Sequence, residues 1–353
     1  YANPSSLHSM GVEAEKLIKQ SRQIIAKPLG VKDNTIYFTS GGTESNNLAV
    51  LGYLDANKRV GKHIITTKSE HASVHEIYKD LEQRGYEVTW LDIGTDGIIN
   101  LQQLKKALNE ETVLISIILI NNETGVIQPI DEISNIINRY NPKAVLHVDA
   151  VQAYGKLILK PELNNIDMLS GSSHKIHGPK GLGFLYAKKE LKLKPILYGG
   201  GQEYTLRSGT ENVPAICGFA RAAEKAFDNI EFNKSKIESL KQKLIKGLTS
   251  LEIGAIKISP ENSLPYILNM SFPGVKAEVL LHHLAQENIY VSTGSACHSR
   301  KNIRSRVLKN MEINNELIDS AIRFSFSSFN TKEDIETVIA VINSIVPKIK
   351  IPI

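Results

Sequence analysis

Two cysteines in 353 residues are too few for a disulfide framework, so the fold must rest on its core, and they suit a reducing compartment. Long hydrophobic runs are missing as well. The apolar stretch Val113–Ile120 is strand-length, which excludes it as a membrane span, and no secretory signal opens the chain. Internal repeats and low-complexity tracts are absent, which excludes solenoid and fibrous classes. Neither sign of charge dominates. Lys and Arg number 42 against 37 Asp and Glu, a net +5 that solubility alone explains, with an acidic protein or RNA partner as the alternative and no DNA-binding character. No metal site is expected. The first residues, Tyr1-Ala-Asn-Pro-Ser-Ser-Leu-His8, lack an initiator Met and read as a helix start, so a preceding N-terminal piece is expected. A cytoplasmic location is expected from these absences together.

What is present is an ordinary globular composition, 42% hydrophobic and 22% charged, in a chain long enough for one large and one smaller domain. Strand-like runs at Thr35–Thr39, His63–Thr67, Glu87–Ile93, Val113–Ile120 and Ala144–Asp149 alternate with helical spacing at Thr43–Lys58, Ser73–Arg84, Leu101–Asn109 and Asp131–Arg139. Asp167–Ser170 and Gly181–Lys188 read as two further strands. The alternation predicts an α/β fold with a mainly parallel sheet covered on both faces. After about Glu211 the character changes. Helices are predicted over Val213–Asn229, Asn233–Thr249, Lys276–Glu287 and Lys332–Ile345, and strands over Ala255–Ser259, Tyr266–Phe272, Ile289–Ser292 and Ala321–Ser327. The boundary is placed near residue 230, giving a large domain over 1–230 and a small α+β domain over 231–353, with residues 1–10 able to pack with the small domain.

The chemistry-bearing residues follow strand ends. Lys175, in Ser170-Gly-Ser-Ser-His-Lys175 ahead of Ile-His-Gly-Pro-Lys-Gly-Leu-Gly183, leaves a strand among hydroxyls, as a Schiff-base lysine would. A surface lysine in a Gly-Pro turn is the plainer reading. Gly41 and Gly42, in Thr39–Asn47, let the chain turn tightly so that amides and hydroxyls at a helix start can hold a phosphate. A simple cap by Thr43 would not need both glycines. Asp149 ends a strand at its carboxyl edge, where a carboxylate can pair with a protonated ring nitrogen and Gln152 can donate to a ring oxygen. His71, after Glu70, could stack on an aromatic ring or serve only as a turn residue. Asn122 could contact a ring or a substrate carboxylate, or only shape the turn before Gly125. Phosphate donors, a stacking histidine, a ring-nitrogen acid and a Schiff-base lysine together describe a pyridoxal phosphate site. Cys297 lies among small residues ahead of Arg300, Lys301 and Arg304, which favour its thiolate. Cys217, in an apolar helix start, reads as a buried small hydrophobe. Arg323 alternates with apolar residues on a strand and is expected to bind a carboxylate.

These motifs, with Gly199-Gly-Gly-Gln-Glu203, Arg207-Ser-Gly-Thr-Glu-Asn212 and Gly294-Ser-Ala-Cys297, closely resemble the cysteine desulfurases of the class V aminotransferase superfamily, from Asn3 to beyond Arg323. The segment between Cys297 and Arg323 resembles the subgroup that serves iron–sulfur cluster assembly and tRNA thiolation. The resemblance implies a fold type I pyridoxal phosphate enzyme that turns L-cysteine into L-alanine and passes the sulfur on as a persulfide. It implies that Lys175 binds the cofactor covalently and that Gly42, Thr43, Ser172 and His174 hold its phosphate. Thr210 would reach the phosphate in the partner subunit of a homodimer. His71 would stack on the ring and take part in catalysis, Asp149 would meet the ring nitrogen, and Gln152 the phenolic oxygen. Asn122 and Arg323 would bind the substrate carboxylate, with Asn122 also near the cofactor, and Cys297 would be the nucleophile.

The chain departs from that family twice. The N-terminal strand with an Asp-x-Ala-Ala-Thr-Thr-like turn is absent from the sequence. The residues after Cys297, His298-Ser-Arg-Lys-Asn-Ile-Arg-Ser-Arg306, are basic where members serving cluster assembly often carry a small acidic-proline stretch, so a different sulfur acceptor is expected, a tRNA-thiolating enzyme or another acidic partner; the plainer reading is that the basic residues only lower the thiol pKa. Two rival readings remain: a selenocysteine lyase or other β-eliminating enzyme, against which Cys297 speaks, and a non-catalytic hub that binds partners.

Overall fold

The computed structural model describes residues 2–294 and 304–350. Its strands are β1 (Ile36–Thr39), β2 (His63–Thr67), β3 (Glu87–Leu91), β4 (Thr112–Ile118), β5 (Val145–Asp149), β6 (Met168–Ser172), β7 (Gly183–Ala187), β8 (Ile256–Lys257), β9 (Ile267–Ser271) and β10 (Ala321–Ser325). Their contacts divide the chain into two compact units. The first holds Tyr1–Leu91, Asn100–Leu119 and Pro129–Ile230; the second holds Asp92–Ile99, Ile120–Gln128 and Glu231–Ile353.

The first unit is built on a seven-stranded sheet in the order β1-β7-β6-β5-β4-β2-β3. Five neighbours from β6 to β3 are parallel, and β7 runs antiparallel to both β6 and β1. Strands buried on both faces have no polar side to show, and every residue of β2, β4, β5, β6 and β7 is buried. That is why Val113–Ile120 reads as an apolar run broken only by Ser116. The helix Ser9–Leu29 has buried positions at Ala14, Ile18, Arg22, Ile25 and Leu29, one stripe at helical spacing. It packs on the helix Val213–Asp228 and ends where Gly30, at φ 70°, returns its N–H to the carbonyls of Ala26 and Lys27. Asn100 and Asn212 cap their helices as side-chain acceptors, and so does His71.

The second unit carries an antiparallel sheet in the order β10-β9-β8. The strand expected over Ile289–Ser292 is not formed: Ser292 makes only an isolated bridge to Arg323. The short helices Arg306–Asn310 and Asn315–Asp319 were not foreseen; each is capped by the side chain before it, Ser305 and Asn314. The helix Lys332–Ile349 opens with a capping box between Thr331 and Asp334. No helix among the described residues is long and apolar enough to cross a membrane.

Candidate active site

Within the first unit the register gathers several strand ends at one sheet edge. Thr39 of β1 and Ser172 of β6 both lie opposite Gly183, Asp149 lies opposite Ser170, and Ile118 opposite Asp149. Because β7 is antiparallel to its two neighbours, β1 runs in the same direction as β6. The segments leading to Thr43, Gln152 and Lys175 therefore leave the sheet on the same side, where open α/β sheets bind ligands.

At the first of these exits Gly41 adopts φ 150°, in a region that side chains avoid, and a Cβ there would meet nothing within 4 Å. A Cβ on Gly42 would lie 2.5 Å from Cγ2 of Val151, so the helix start and the segment after Asp149 approach as closely as glycine permits. No side chain among the described residues caps the helix Gly42–Ala56, which leaves its first-turn amides and positive dipole end to a ligand. Thr43 is exposed there. Behind it Glu44 accepts from the Ser40 N–H at 2.8 Å and from Arg207 Nε at 2.9 Å. Burial works against the Glu44 carboxylate, but the bonds from Arg207 and Ser40 outweigh it and hold its pKa below the usual range. Arg207 thereby ties the phosphate-type turn to the segment that ends at the exposed Thr210.

Asp149 is buried. Its Oδ1 accepts from the Val151 N–H at 3.0 Å and its Oδ2 from Asn46 Nδ2 at 2.8 Å. Asn46 Nδ2 also donates to Ser73 Oγ at 2.9 Å, and Ser73 Oγ lies 2.8 Å from His71 Nδ1. The same Nδ1 accepts from the Ser73 N–H at 3.1 Å, the capping bond of the next helix. His71 and Asp149 are thus joined through two residues that sequence reasoning passed over. The available signal for Asn46 was its place one helical turn after Gly42; for Ser73 it was the cap spacing from His71.

At the third exit Ser172 Oγ lies 2.8 Å from His174 Nδ1. Partial burial of its ring, then the ammonium groups of Lys175, Lys156 and Lys180, push the His174 pKa down. The field that opposes an imidazolium there favours an anion. Lys175 is half-buried, and His177 beyond it takes a left-handed conformation at φ 64°. Gln152 is buried, and its Oε1 accepts from Lys156 Nζ at 3.1 Å.

The second unit holds the remaining candidates. Arg323 donates from Nη1 to the Asn122 carbonyl at 3.0 Å and from Nη2 to Ser292 Oγ at 3.2 Å. Ser292 and Arg323 also exchange backbone bonds of 3.1 and 2.7 Å. Cys297, with Arg300 and Lys301, lies outside the described residues. Arg304 forms a two-bond pair with Asp319, both 2.7 Å, so its charge is already met by a carboxylate. Cys217 is half-buried, with Ser21 Oγ 3.8 Å from its sulfur.

The first unit's donor set fits a pyridoxal phosphate. An uncapped, glycine-opened helix start suits its phosphate, and a buried hydroxyl, Ser173 Oγ, has no hydrogen-bond partner among the described residues. Asp149 is a buried carboxylate with two neutral donors and no cationic partner among the described residues. A buried charge of that kind calls for a cation, which a protonated ring nitrogen supplies.

Residues 1–338 match the family model described as aminotransferase class-V. A cysteine desulfurase of Methanosarcina thermophila is 41% identical over 350 residues, covering 99% of this chain and 86% of its own length. Among solved structures, a NifS-like protein superposes with a TM-score of 0.93 at 38% identity, covering 99% of this chain and 92% of that one. Another, described as SspA in complex with cysteine, does so with a TM-score of 0.81 at 35% identity, over 94% of this chain and 92% of its own.

Proposed function

This chain belongs to the class-V aminotransferases and within them to the cysteine desulfurases, which depend on pyridoxal 5'-phosphate, and we propose that the residues gathered at the first unit's sheet edge are its cofactor site. The observation that carries this reading is the buried Asp149 carboxylate, with no cationic partner among the described residues, on the same sheet edge as Lys175 and the glycine-opened helix start. In this reading residues 1–230 form the cofactor-binding domain and 231–353 a smaller domain that brings the reactive cysteine.

Gly42, Thr43, Ser172 and His174 would hold the phosphate, with Thr210 serving the phosphate of the partner subunit in a homodimer. Asp149 would keep the ring nitrogen protonated, Gln152 would donate to the phenolic oxygen, and His71 would cover the ring face. Covalently held by Lys175, the cofactor supplies an electron sink for the pair left behind when the substrate loses its α-proton. Arg323 would bind the carboxylate of L-cysteine beside Asn122, placing the α-carbon for reaction. Lys175 Nζ would be the base that accepts the α-proton. Cys297 Sγ, as thiolate, would attack the substrate sulfur. The carbon–sulfur bond breaks, a sulfur–sulfur bond forms, the β-carbon takes up a proton, and return of a proton from Lys175 to the α-carbon completes L-alanine. The persulfide then goes to an acceptor protein, a scaffold for iron–sulfur assembly or a tRNA-thiolating enzyme. A cytoplasmic location accords with the low cysteine content.

The test is formation of alanine and sulfide from L-cysteine with transfer to an acceptor protein. Wild type is expected to be yellow and active. Lys175→Ala is expected to lose the covalently bound chromophore, and Cys297→Ala to lose persulfide transfer. Equal transfer by wild type and Cys297→Ala would refute the nucleophile assignment.

A further inference from the structure

Asn46 sits at the centre of the first unit's polar network and is fully buried. An ionised carboxylate only accepts hydrogen bonds, so the Asn46 atom facing Asp149 Oδ2 at 2.8 Å is the amide nitrogen. Its second hydrogen goes to Ser73 Oγ at 2.9 Å. A hydroxyl that accepts there points its own hydrogen onward, and His71 Nδ1 lies 2.8 Å away. The Ser73 backbone N–H, which can only donate, reaches the same Nδ1 at 3.1 Å. His71 Nδ1 is therefore an acceptor, and the neutral ring carries its proton on Nε2. Every bond in this chain has one direction, and both branches start from one –NH2 group.

The cost at Asn46 shows which bonds matter. Its Oδ1 is buried with no hydrogen-bond partner among the described residues, so its desolvation is not offset. An amide kept only to stabilise the fold would satisfy its carbonyl as well. This one leaves the carbonyl unmet and spends both hydrogens on Asp149 and Ser73.

We propose that Asn46 is a positioning residue that joins the Asp149 carboxylate and, through Ser73 Oγ, the His71 ring in one directed hydrogen-bond chain. This rests on the cofactor-site reading above and goes further in two respects. Asp149 is held by Asn46 on one oxygen and by the Val151 N–H on the other, so it cannot rotate away from a ring nitrogen. His71 offers a proton from Nε2 rather than a lone pair, which makes it a proton donor in the resting state and leaves proton acceptance to Lys175.

The experiment uses the cofactor-loaded enzyme with Asn46→Ala, Ser73→Ala and Asp149→Asn. Two readouts are followed: the pH titration of the bound cofactor's visible absorbance, and kcat and KM for L-cysteine against pH. Asn46→Ala is expected to move the absorbance midpoint by roughly one pH unit and to lower kcat about tenfold, with KM within about twofold. Ser73→Ala cuts only the histidine branch. It is expected to leave the absorbance midpoint in place and to shift the acid limb of the kcat profile. If Asp149→Asn moves the absorbance midpoint while folded Asn46→Ala leaves midpoint and kcat at wild-type values, the role of Asn46 is refuted and the cofactor site stands. If Asp149→Asn leaves the absorbance unchanged, the cofactor-site reading fails and takes this one with it. Should Asn46→Ala not fold, Ser73→Ala decides, since an unchanged kcat profile overturns the directed chain.

Discussion

Lys156 Nζ donates to Gln152 Oε1 over 3.1 Å, and both side chains are buried. A carboxamide has one acceptor and two donor hydrogens, so an ammonium at Oε1 turns the Nε2 hydrogens the other way. If Gln152 faces the phenolic oxygen of the cofactor, Lys156 sets which end of the amide does so. It also adds positive charge beside His174 and His177, whose pKa values it helps to depress after burial has done most of the work. Lys156→Met should weaken both supports for a phenolate and relieve a protonated imine of a nearby cation. The two effects have the same sign. The midpoint of the absorbance titration should rise by about one unit, and cofactor release in dialysis should quicken. An unchanged midpoint would show that Gln152 is oriented without Lys156.

Arg22 and Glu203 form a buried two-bond pair, 2.6 and 2.8 Å, deep in the first unit. Arg22 also donates to the Ile36 carbonyl at 2.6 Å, and Glu203 accepts from the Phe38 N–H at 2.8 Å, so the pair clamps both to β1. Glu203, Tyr204 and Thr205 all have positive φ, 47°, 56° and 70°, a run that non-glycine residues adopt only when held. Removing one partner strands the other charge. Glu203→Ala should cost about 3–5 kcal/mol, visible as a lower denaturant midpoint. Because the strained turn leads on to Arg207 and Thr210, the variant should also lose cofactor faster. A midpoint within error of wild type would mean that Arg22 finds water or another acceptor.

The alternation of short apolar runs with helical spacing was enough to read the α/β sheet, because strands buried on both faces are dominated by apolar and β-branched residues and carry no solvent-facing polar stripe. The strand ends that carry Thr39, Asp149 and Ser172 were legible for the same reason. What stayed hidden depends on tertiary partners. Ile289–Ser292 has strand composition, yet only Ser292 pairs, with Arg323. Asp92–Ile99 and Ile120–Gln128 cluster with the second unit although no shift in composition marks them. Asn46, Ser73 and Lys156 look like ordinary helix or turn residues until the fold brings Asp149, His71 and Gln152 to them. The order of strands in the sheet was likewise beyond a reading based on local spacing.

Arg323 reaches both the Asn122 carbonyl and Ser292 Oγ with separate nitrogens, which fixes the plane of its guanidinium. A planar fork held that way is suited to a carboxylate, whereas a lysine offers a point charge with no fixed orientation. Arg323→Lys should raise KM for L-cysteine by about tenfold or more, with a smaller effect on kcat, as expected for lost ground-state binding. The absorbance of the resting cofactor should be unaffected, since the role assigned to Arg323 is toward the substrate carboxylate and not the cofactor. A drop confined to kcat would place Arg323 outside the substrate carboxylate site.

His147 predicts how stability follows pH. Its ring is fully buried in β5, with Nδ1 3.1 Å from Ser116 Oγ and Nε2 2.9 Å from Ser170 Oγ. Burial among neutral hydroxyls pushes its pKa down to about 3 from the ordinary 6.5. As pH falls below 6.5 the unfolded chain gains a proton at this position and the native protein does not, until about pH 3. The native state therefore loses stability throughout that window, by roughly 2 kcal/mol at pH 5 from this group alone. His63, His174 and His177 are also depressed, burial being the first cause in each, so they add slope of the same sign. His147→Gln keeps a side chain that can meet both serines but cannot take up a proton. Urea midpoints between pH 7 and pH 4 should fall less steeply for this variant than for wild type, even if its midpoint at pH 7 is lower. Parallel curves for the two proteins would show that His147 titrates normally in the folded state, and that the β5 interior admits water.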